Sequence, residues 1–215
     1  MVMDTQKISP LDRFITGLDQ ALRTVWAPAH SERASPAAGM SEAGVSAQQK
    51  AAAARLMRVN HAGEVAAQAL YRGHAQSASS PAVRVQMERA AGEENDHRAW
   101  CEQRVHALGS HTSVLNPLWY VGSFALGVVT GLAGDKWSLG FVAETERQVV
   151  QHLRGHLARL PEADAQSRAI LEQMCVDEAG HATQAVEAGA AELPPPVRAL
   201  MRLSAQVMTR TAYWV

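Results

Sequence analysis

Two short runs of sequence decide the fold: Glu93-Glu94-Asn95-Asp96-His97 and Asp177-Glu178-Ala179-Gly180-His181. Each run contains a Glu-x-x-His step, and residues three apart on a helix lie on the same face, about one turn apart. Each run also follows a lone glutamate about 30 residues upstream, Glu64 before the first run and Glu146 before the second. The chain therefore carries the same arrangement of carboxylate and imidazole groups twice.

This double pattern needs four helices, two that give one Glu and two that give Glu-x-x-His. In four-helix bundles with two metal ions, such residues project inward from facing helices. The chain has apolar residues at helical spacing and lacks the sustained alternation that is typical of strands. The predicted bundle helices cover residues 48–76, 81–108, 137–160 and 162–189. The sequence therefore predicts an all-α protein built on a ferritin-like four-helix bundle.

The apolar faces of these helices indicate which glutamates point inward. Three of the glutamates fall on apolar stripes: Glu64, Glu94 and Glu178. The fourth has two candidates, Glu144 and Glu146. Glu146 shares its helical face with Val142 and Leu153, whereas Glu144 falls among polar residues such as Gln148. This amphipathic pattern predicts Glu146 in the core and Glu144 in solvent.

Buried carboxylates repel one another unless a cation neutralises them. Two Glu-x-x-His steps alone are close to the number expected by chance, and a solvent-exposed face could hold either one. However, both steps lie on apolar stripes, and each follows a glutamate that also lies on an apolar stripe. This combination favours a buried metal site. Two ferrous ions would balance four carboxylates, and oxygen ligands with histidine suit iron or manganese rather than structural zinc. The predicted metal ligands are Glu64, Glu94, His97, Glu146, Glu178 and His181.

The spacing also predicts a role for each carboxylate. Glu94 and Glu178 are expected to bridge the two ions, because each is paired with a histidine in its run, and the lone glutamates are expected to be terminal. Histidine ligands usually donate their other N–H to a carboxylate. Glu93 and Asp177, which precede the bridging residues, are predicted to accept this bond from the histidine of the opposite run.

Composition excludes several classes of protein. The chain has 215 residues, which suits one domain with a sizeable core. Its net charge of −1 argues against a nucleic-acid partner. Cys101 and Cys175 form no Cys-x-x-Cys motif, as expected for free thiols in a reducing compartment. Residues 1–10 lack the basic and apolar regions of a secretory signal, so we expect a protein that stays in the cytoplasm.

The bundle is predicted at residues 47–191, between two further segments. Residues 1–46 combine an amphipathic helix, which could cap the bundle or dock to a surface, with an Ala-, Ser- and Pro-rich linker. Residues 192–215 are predicted to form a basic amphipathic C-terminal helix, which could lie on a membrane surface or against the bundle. Residues 112–134 are apolar and carry no charge. They could contact a membrane surface, line the core or cross the bilayer; their glycines and polar residues favour membrane contact over a true span.

These motifs resemble a known family. The run Arg58-Val59-Asn60-His61-Ala62-Gly63-Glu64, the two Glu-x-x-His runs, and Glu146 followed by His152 are similar to the demethoxyubiquinone hydroxylases, which are ferritin-like di-iron carboxylate proteins. The resemblance covers residues 48–191. The chain departs from it at Asn60, where many members have Asp, and this position is not a metal ligand.

The resemblance implies an O2-dependent monooxygenase of ubiquinone biosynthesis with two Fe²⁺ ions. Its substrate would be the ring of 2-polyprenyl-3-methyl-6-methoxy-1,4-benzoquinol, and its reductant the quinol itself or NADH. It also implies a peripheral protein on the cytoplasmic face of the cell membrane, as a homo-oligomer or within a ubiquinone-biosynthesis complex. His152 and Tyr71 are candidates for proton handling or ring contact, and ordinary packing is the alternative for both.

Three other functions use similar sequence features. A ferritin-like protein would bind and oxidise iron itself, but it would not need the apolar segment at 112–134. A di-manganese catalase-like enzyme would use the same kinds of ligand. A membrane-docked helical scaffold would need no metal at all.

Overall fold

The computed structural model describes residues 9–41 and 44–215, apart from the side chains of Pro10, Arg13 and Phe14. Over that part of the chain there are seven α-helices and no strand, which confirms the all-α prediction. The helices are α1 Pro10–Trp26, α2 Ala47–Ser77, α3 Pro81–Ala107, α4 Asn116–Leu132, α5 Asp135–Leu157, α6 Ala165–Glu187 and α7 Pro195–Ala212. Residues 1–8, predicted to lack a secretory signal, and residues 42–43 of the predicted linker lie outside the described part.

Local sequence sets where the bundle helices begin. Before α2, the Ser46 side chain accepts a hydrogen bond from the N–H of Gln49, and the Gln49 side chain accepts one from the N–H of Ser46. Pro81 occupies the first turn of α3. The N–H groups of a first turn have no partner within the helix, so the missing N–H of proline costs no hydrogen bond. Asp164 caps α6 by accepting the N–H of Ser167 at 3.0 Å. These caps explain why the predicted helices start within a few residues of the observed ones.

Helices α2, α3, α5 and α6 form the four-helix bundle. Short connections join α2 to α3 and α5 to α6, so each pair is antiparallel. Helix α5 is also antiparallel to α2, because His74 contacts Ser138 at the start of α5, whereas Asn60 contacts His156 near its end. Helix α4 links α3 to α5 and packs along the outside of α2. This crossover connection is the topology of ferritin-like bundles.

Helix α4 lies very close to α2 because both helices present small residues where they meet. A Cβ atom added at Gly127 would lie 2.3 Å from the carbonyl oxygen of Leu70, and one added at Gly73 would lie 2.3 Å from that of Phe124. One turn further along α4, a Cβ at Gly131 would collide with a side chain of α2. Glycine is required at positions 73 and 127 because the two backbones touch there.

Two apolar clusters fill the bundle, one at each end. The first includes Met57, Trp100, Leu153 and Leu171, and the second includes Met87, Leu139, Val142 and Ala185. Between them, halfway along the helices, lie the carboxylates and histidines of the two repeated runs. The core therefore seals this polar layer from both ends.

Helices α1 and α7 pack on the outside of the bundle. Ala21 and Val25 of α1 pack against α2 and α4, and the leucines on its other side are exposed. Met201 and Ala212 of α7 are buried against the bundle, while Leu200 and Leu203 are exposed. Among the helices of the described chain, none combines the length and mean hydropathy that a crossing of the bilayer requires.

Candidate metal centre

All six predicted ligands come together in the middle of the bundle. Helices α2 and α5 each contribute one glutamate, and α3 and α6 each contribute one Glu-x-x-His step. Every one of these side chains is buried: Glu64, Glu94, His97, Glu146, Glu178 and His181. One potential ligand atom from each of Glu64, Glu94, His97 and Glu178 lies within 4.8 Å of the others.

Two of the carboxylates lie between the two histidines. Glu94 has Oε2 at 3.4 Å from Nδ1 of His97 and Oε1 at 3.2 Å from Nδ1 of His181. Glu178 has Oε1 at 3.0 Å from Nδ1 of His97 and Oε2 at 3.0 Å from Nδ1 of His181. Each carboxylate thus directs one oxygen to each histidine, which is the arrangement that two bridging carboxylates require.

The outer nitrogen of each histidine contacts an acid from the opposite run. Nε2 of His97 lies 3.0 Å from Oδ2 of Asp177, and Nε2 of His181 lies 2.7 Å from Oε2 of Glu93. An N–H that donates to these acids at Nε2 leaves the Nδ1 lone pair free to face the cluster. The acids therefore set the ring orientation and tautomer that metal binding needs.

Burial makes four negative charges in this layer unfavourable without positive charge. Burial, together with the charges of Glu94 and Glu178, raises the pKa of Glu64 and of Glu146 well above the usual range. Burial opposes protonation of His181, but its hydrogen bonds to Glu178 and Glu94 outweigh this effect and raise its pKa to about 12. Both oxygens of Glu94 also lack a well-aligned hydrogen-bond donor. This donor set fits divalent cations.

Tyr71 and His152 occupy different surroundings. The hydroxyl of Tyr71, which is buried, donates to Oε1 of Glu146 at 2.7 Å. His152 lines a cavity beside the cluster, and its ring lies 3.9 Å from that of His156. Nδ1 of His156 is 2.8 Å from Oδ1 of Asn60. Asn60 thus contacts a buried histidine and also lines the cavity.

The prediction that Glu144 lies in solvent is wrong. Its side chain is buried, and Gln148 Nε2 donates to it at 2.7 Å. The reason is that α7 covers this face of α5, where Gln148 also reaches the carbonyl of Arg198. A polar face of an amphipathic helix is exposed only if no further helix packs on it. Glu146, and not Glu144, is nonetheless the residue that reaches the cluster.

A cavity of about 690 Å³ leads from the surface to this cluster. It lies between α2, α4, α5 and α7, and Glu64, Glu146 and Glu178 form its inner end. Its walls are mostly apolar and include Val59, Leu70, Leu118, Trp119, Phe141, Met201 and Met208. Leu118 and Gln206 are exposed at its rim, so the cavity is open to solvent between α4 and α7. Its volume is in the range of ligand-binding cavities.

Sequence comparisons add to this geometry. The family described as ubiquinone biosynthesis protein COQ7 matches residues 51–212. The chain belongs to this family. A COQ7-type relative, the 3-demethoxyubiquinol 3-hydroxylase of Nitrosococcus oceani, is 58% identical over 214 residues, which is 99% of this chain and 100% of that protein.

Other relatives carry the same name. The 3-demethoxyubiquinol 3-hydroxylase of Chromobacterium violaceum is 57% identical over 205 residues, or 95% of this chain and 100% of that protein. The 3-demethoxyubiquinol 3-hydroxylase of Nitrosospira multiformis is 56% identical over 205 residues, or 95% of this chain and 99% of that protein. Similarity to these COQ7-family relatives therefore extends into the N-terminal region, which the family match at 51–212 leaves out.

Proposed function

We propose that this protein is an O2-dependent di-iron monooxygenase that hydroxylates the ring of 2-polyprenyl-3-methyl-6-methoxy-1,4-benzoquinol in ubiquinone biosynthesis. The observation that carries the proposal is the cluster geometry, in which Glu94 and Glu178 each direct one oxygen to His97 and the other to His181. The substrate follows from the relatives that are named 3-demethoxyubiquinol 3-hydroxylase.

The charge of the cluster supports two divalent ions. Two Fe²⁺ ions carry four positive charges, which balance the carboxylates of Glu64, Glu94, Glu146 and Glu178. Carboxylate oxygen with imidazole nitrogen is a ligand set that suits iron or manganese. Glu64 and His97 would hold one ion, Glu146 and His181 the other, with two shared bridges. When bound, the iron pair would supply the site at which O2 is activated, and the quinol itself or NADH would supply the electrons that return the iron to the ferrous state.

The residues around the ions supply orientation and protons. The Tyr71 hydroxyl donates to the Glu146 carboxylate at 2.7 Å and places a buried O–H group on that side of the site. Glu93 and Asp177 hold the two imidazoles from outside. Water is excluded from the two ends of the layer by the apolar clusters of the bundle. The ring must therefore approach through the cavity, where Glu64, Glu146 and Glu178 line the inner end.

The cavity favours a lipid substrate over the alternative functions. Its apolar walls and volume suit a quinol ring with the first part of a polyprenyl tail. A ferritin-like iron store or a di-manganese catalase handles small polar substrates and has no use for an apolar path of this size. His152, whose Nε2 lacks a partner among the described residues, faces this cavity and is available to contact ring oxygens.

The protein docks as a peripheral protein on the cytoplasmic face of the cell membrane, where a polyprenyl quinol resides. Large apolar side chains are exposed on three outer helices, for example Leu18 on α1, Val129 on α4 and Leu203 on α7. Such side chains, beside an apolar cavity mouth, suit the interfacial region of a bilayer. Flotation with anionic phospholipid vesicles tests docking, and Leu203→Glu should weaken it. Self-association, or assembly with other proteins of the pathway, belongs to the same proposal and is tested by sedimentation.

Quinone profiling by mass spectrometry tests the function. Cells that lack the gene should accumulate the demethoxy quinone, and wild-type protein should restore the normal profile. Glu146→Gln, which keeps the size of the side chain, should fail to restore it. Glu144→Gln is the matched control two residues away and should restore it. A normal profile in the deletion strain, or rescue by Glu146→Gln, would contradict the proposal.

A further inference from the structure

Residues 27–37, here called the N-terminal strap, follow α1 and lie beside the metal centre. The strap contains neither helix nor strand, yet α3 fixes its path. Asp96 accepts hydrogen bonds from the hydroxyl of Ser31 at 3.0 Å and from the N–H of Glu32 at 2.7 Å. The indole N–H of Trp100 donates to the same Ser31 hydroxyl at 3.0 Å. The predicted linker is therefore bound to the bundle, and it lies outside the family match.

Arg33 is the strap residue that reaches the metal centre. Its Nη1 donates to Oδ2 of Asp177 at 2.8 Å, and its guanidinium lies over the ring of Trp100, 5.0 Å from the centroid. The same Oδ2 atom is 3.0 Å from Nε2 of His97. Arg33 and His97 thus contact one carboxylate oxygen, and a single group separates the guanidinium charge from the imidazole.

Asp177 is held through both of its oxygens. Gln173 Nε2 donates to Oδ1 at 2.9 Å, while Oδ2 has the contacts to Arg33 and His97. A carboxylate fixed on both sides fixes the plane of the imidazole that donates to it. Arg33 also draws negative charge away from Oδ2, so it sets how strongly Asp177 polarises the ring.

The other half of the site is built differently. Glu93, which contacts His181, is paired with Arg89 on its own helix at 3.2 Å. Arg89 uses Oε1 of this carboxylate and His181 uses Oε2, so the two groups do not share an oxygen. The bundle supplies every partner in this half, whereas the His97 half takes a cation from the strap.

We propose that Arg33 is a positioning residue that acts through Asp177 on His97 and makes the two metal positions inequivalent. This inference rests on the proposed di-metal function. The Arg33–Asp177 pair is partly exposed, and such pairs add little to folding stability. The consequence of Arg33 is therefore expected at the metal, not in the stability of the fold.

Two measurements test this inference. The first is an anaerobic titration of the full-length apoprotein with Fe²⁺, monitored by calorimetry, and the second is the Mössbauer spectrum of the loaded protein. Arg33→Met keeps the packing on Trp100 and removes the charge. It should weaken one of the two binding steps about tenfold and alter one of the two iron signals, as is typical when a group behind a histidine ligand is lost. Arg33→Lys should restore most of the affinity. Arg23→Met, which removes an exposed arginine paired with Asp19 on α1, is the matched control.

A double-mutant cycle separates positioning from general damage to the strap. In an Asp177→Asn background, Arg33→Met should have no further effect on Fe²⁺ affinity, because the carboxylate charge through which Arg33 acts on His97 is already gone. The inference is overturned if Arg33→Met leaves both binding steps unchanged, weakens both equally, or adds its full effect to Asp177→Asn. If the wild type itself fails to bind two Fe²⁺ ions, the proposed function fails first and this inference with it.

Discussion

The half of the site built on His97 and the half built on His181 contain the same kinds of group but differ in their surroundings. The His97 ring is completely buried and lies 5.3 Å from the ring of Trp100, beneath the N-terminal strap. The His181 ring is slightly exposed and lies 6.2 Å from the ring of Tyr71. A small pocket lined by Tyr71, Glu93 and His181 adjoins this second half from the outside.

This difference teaches that a repeated ligand pattern does not make a symmetric site. The two runs specify which atoms face the centre, and the helices supply these atoms twice. What lies behind each histidine depends on the rest of the chain, and only one half is covered by the strap. Two irons held by matched ligands would therefore experience different electrostatic fields and differ in their exposure to solvent.

The largest effect is expected from removing what the two halves share. Glu178→Ala deletes a carboxylate that contacts both histidines, so we expect it to abolish binding of both irons and to reduce hydroxylation to background. Metal analysis of the purified variant measures this directly. If one iron remained bound at normal affinity, the two halves would be independent, and the bridging role of Glu178 would be wrong.

A smaller and one-sided effect is expected from the acids behind the histidines. Asp177→Asn and Glu93→Gln should each weaken iron binding by about tenfold to a hundredfold, because each replaces the charged acceptor behind one ring with a neutral amide. Fe²⁺ titration should show one weakened step in each variant, and the combination should weaken both. If either single variant weakened both binding steps equally, the conclusion that each acid acts on one half of the site would be wrong.

Tyr71→Phe should affect the His181 half alone. It removes the hydrogen bond to Glu146, whose net contribution of about 1 kcal/mol corresponds to an affinity change of about fivefold. The Fe²⁺ titration should show this change in a single binding step, and circular dichroism should show an unchanged helix content. If Tyr71→Phe instead changed the binding step that Arg33→Met alters, the assignment of Tyr71 to the His181 half would be wrong.

The smallest effect is the pH dependence of the stability of the iron-free protein, to which both halves of the site contribute. Thermal unfolding measures it. Burial raises the pKa of Glu64 and Glu146, and contacts with Glu178 and Glu94 raise that of His181 to about 12. Between pH 7 and pH 9 the folded chain keeps the proton of His181, which the unfolded chain has mostly lost, so stability falls as pH rises. We expect Tm to fall by roughly 5 °C over this range.

The pH window avoids an opposing effect. Four other histidines, of which His152 is only partly buried, have pKa values that desolvation lowers to about 3 or 4. They make the protein more stable as pH rises only up to about 6.5: His61, His74, His152 and His156. Bound iron takes the place of the protons in the cluster, so the loaded protein should show a flatter profile. A Tm of the iron-free protein that rises between pH 7 and pH 9 would contradict the electrostatic description of the site.

The ligand cluster could be predicted because helical spacing and charge balance are local properties of the sequence. The partners of the histidines, Glu93 and Asp177, were predictable for the same reason, since each precedes the glutamate of a Glu-x-x-His step. The burial of Glu144 could not be predicted, because it depends on where α7 packs. Arg33 left no signal, because the strap has no periodicity and its contact with Asp177 joins distant parts of the chain.

The crossing of α2 and α4 has a mechanical consequence for the cavity. With Gly73 and Gly127 in backbone contact, these two helices form a stiff wall that cannot open without separating as a whole. The opposite wall is α7, which is anchored by two buried side chains, Met201 and Ala212. A long lipid tail must enter past the compliant wall. We therefore expect α7 to bend outward while the proposed iron ligands, which lie on the stiff bundle, keep their positions.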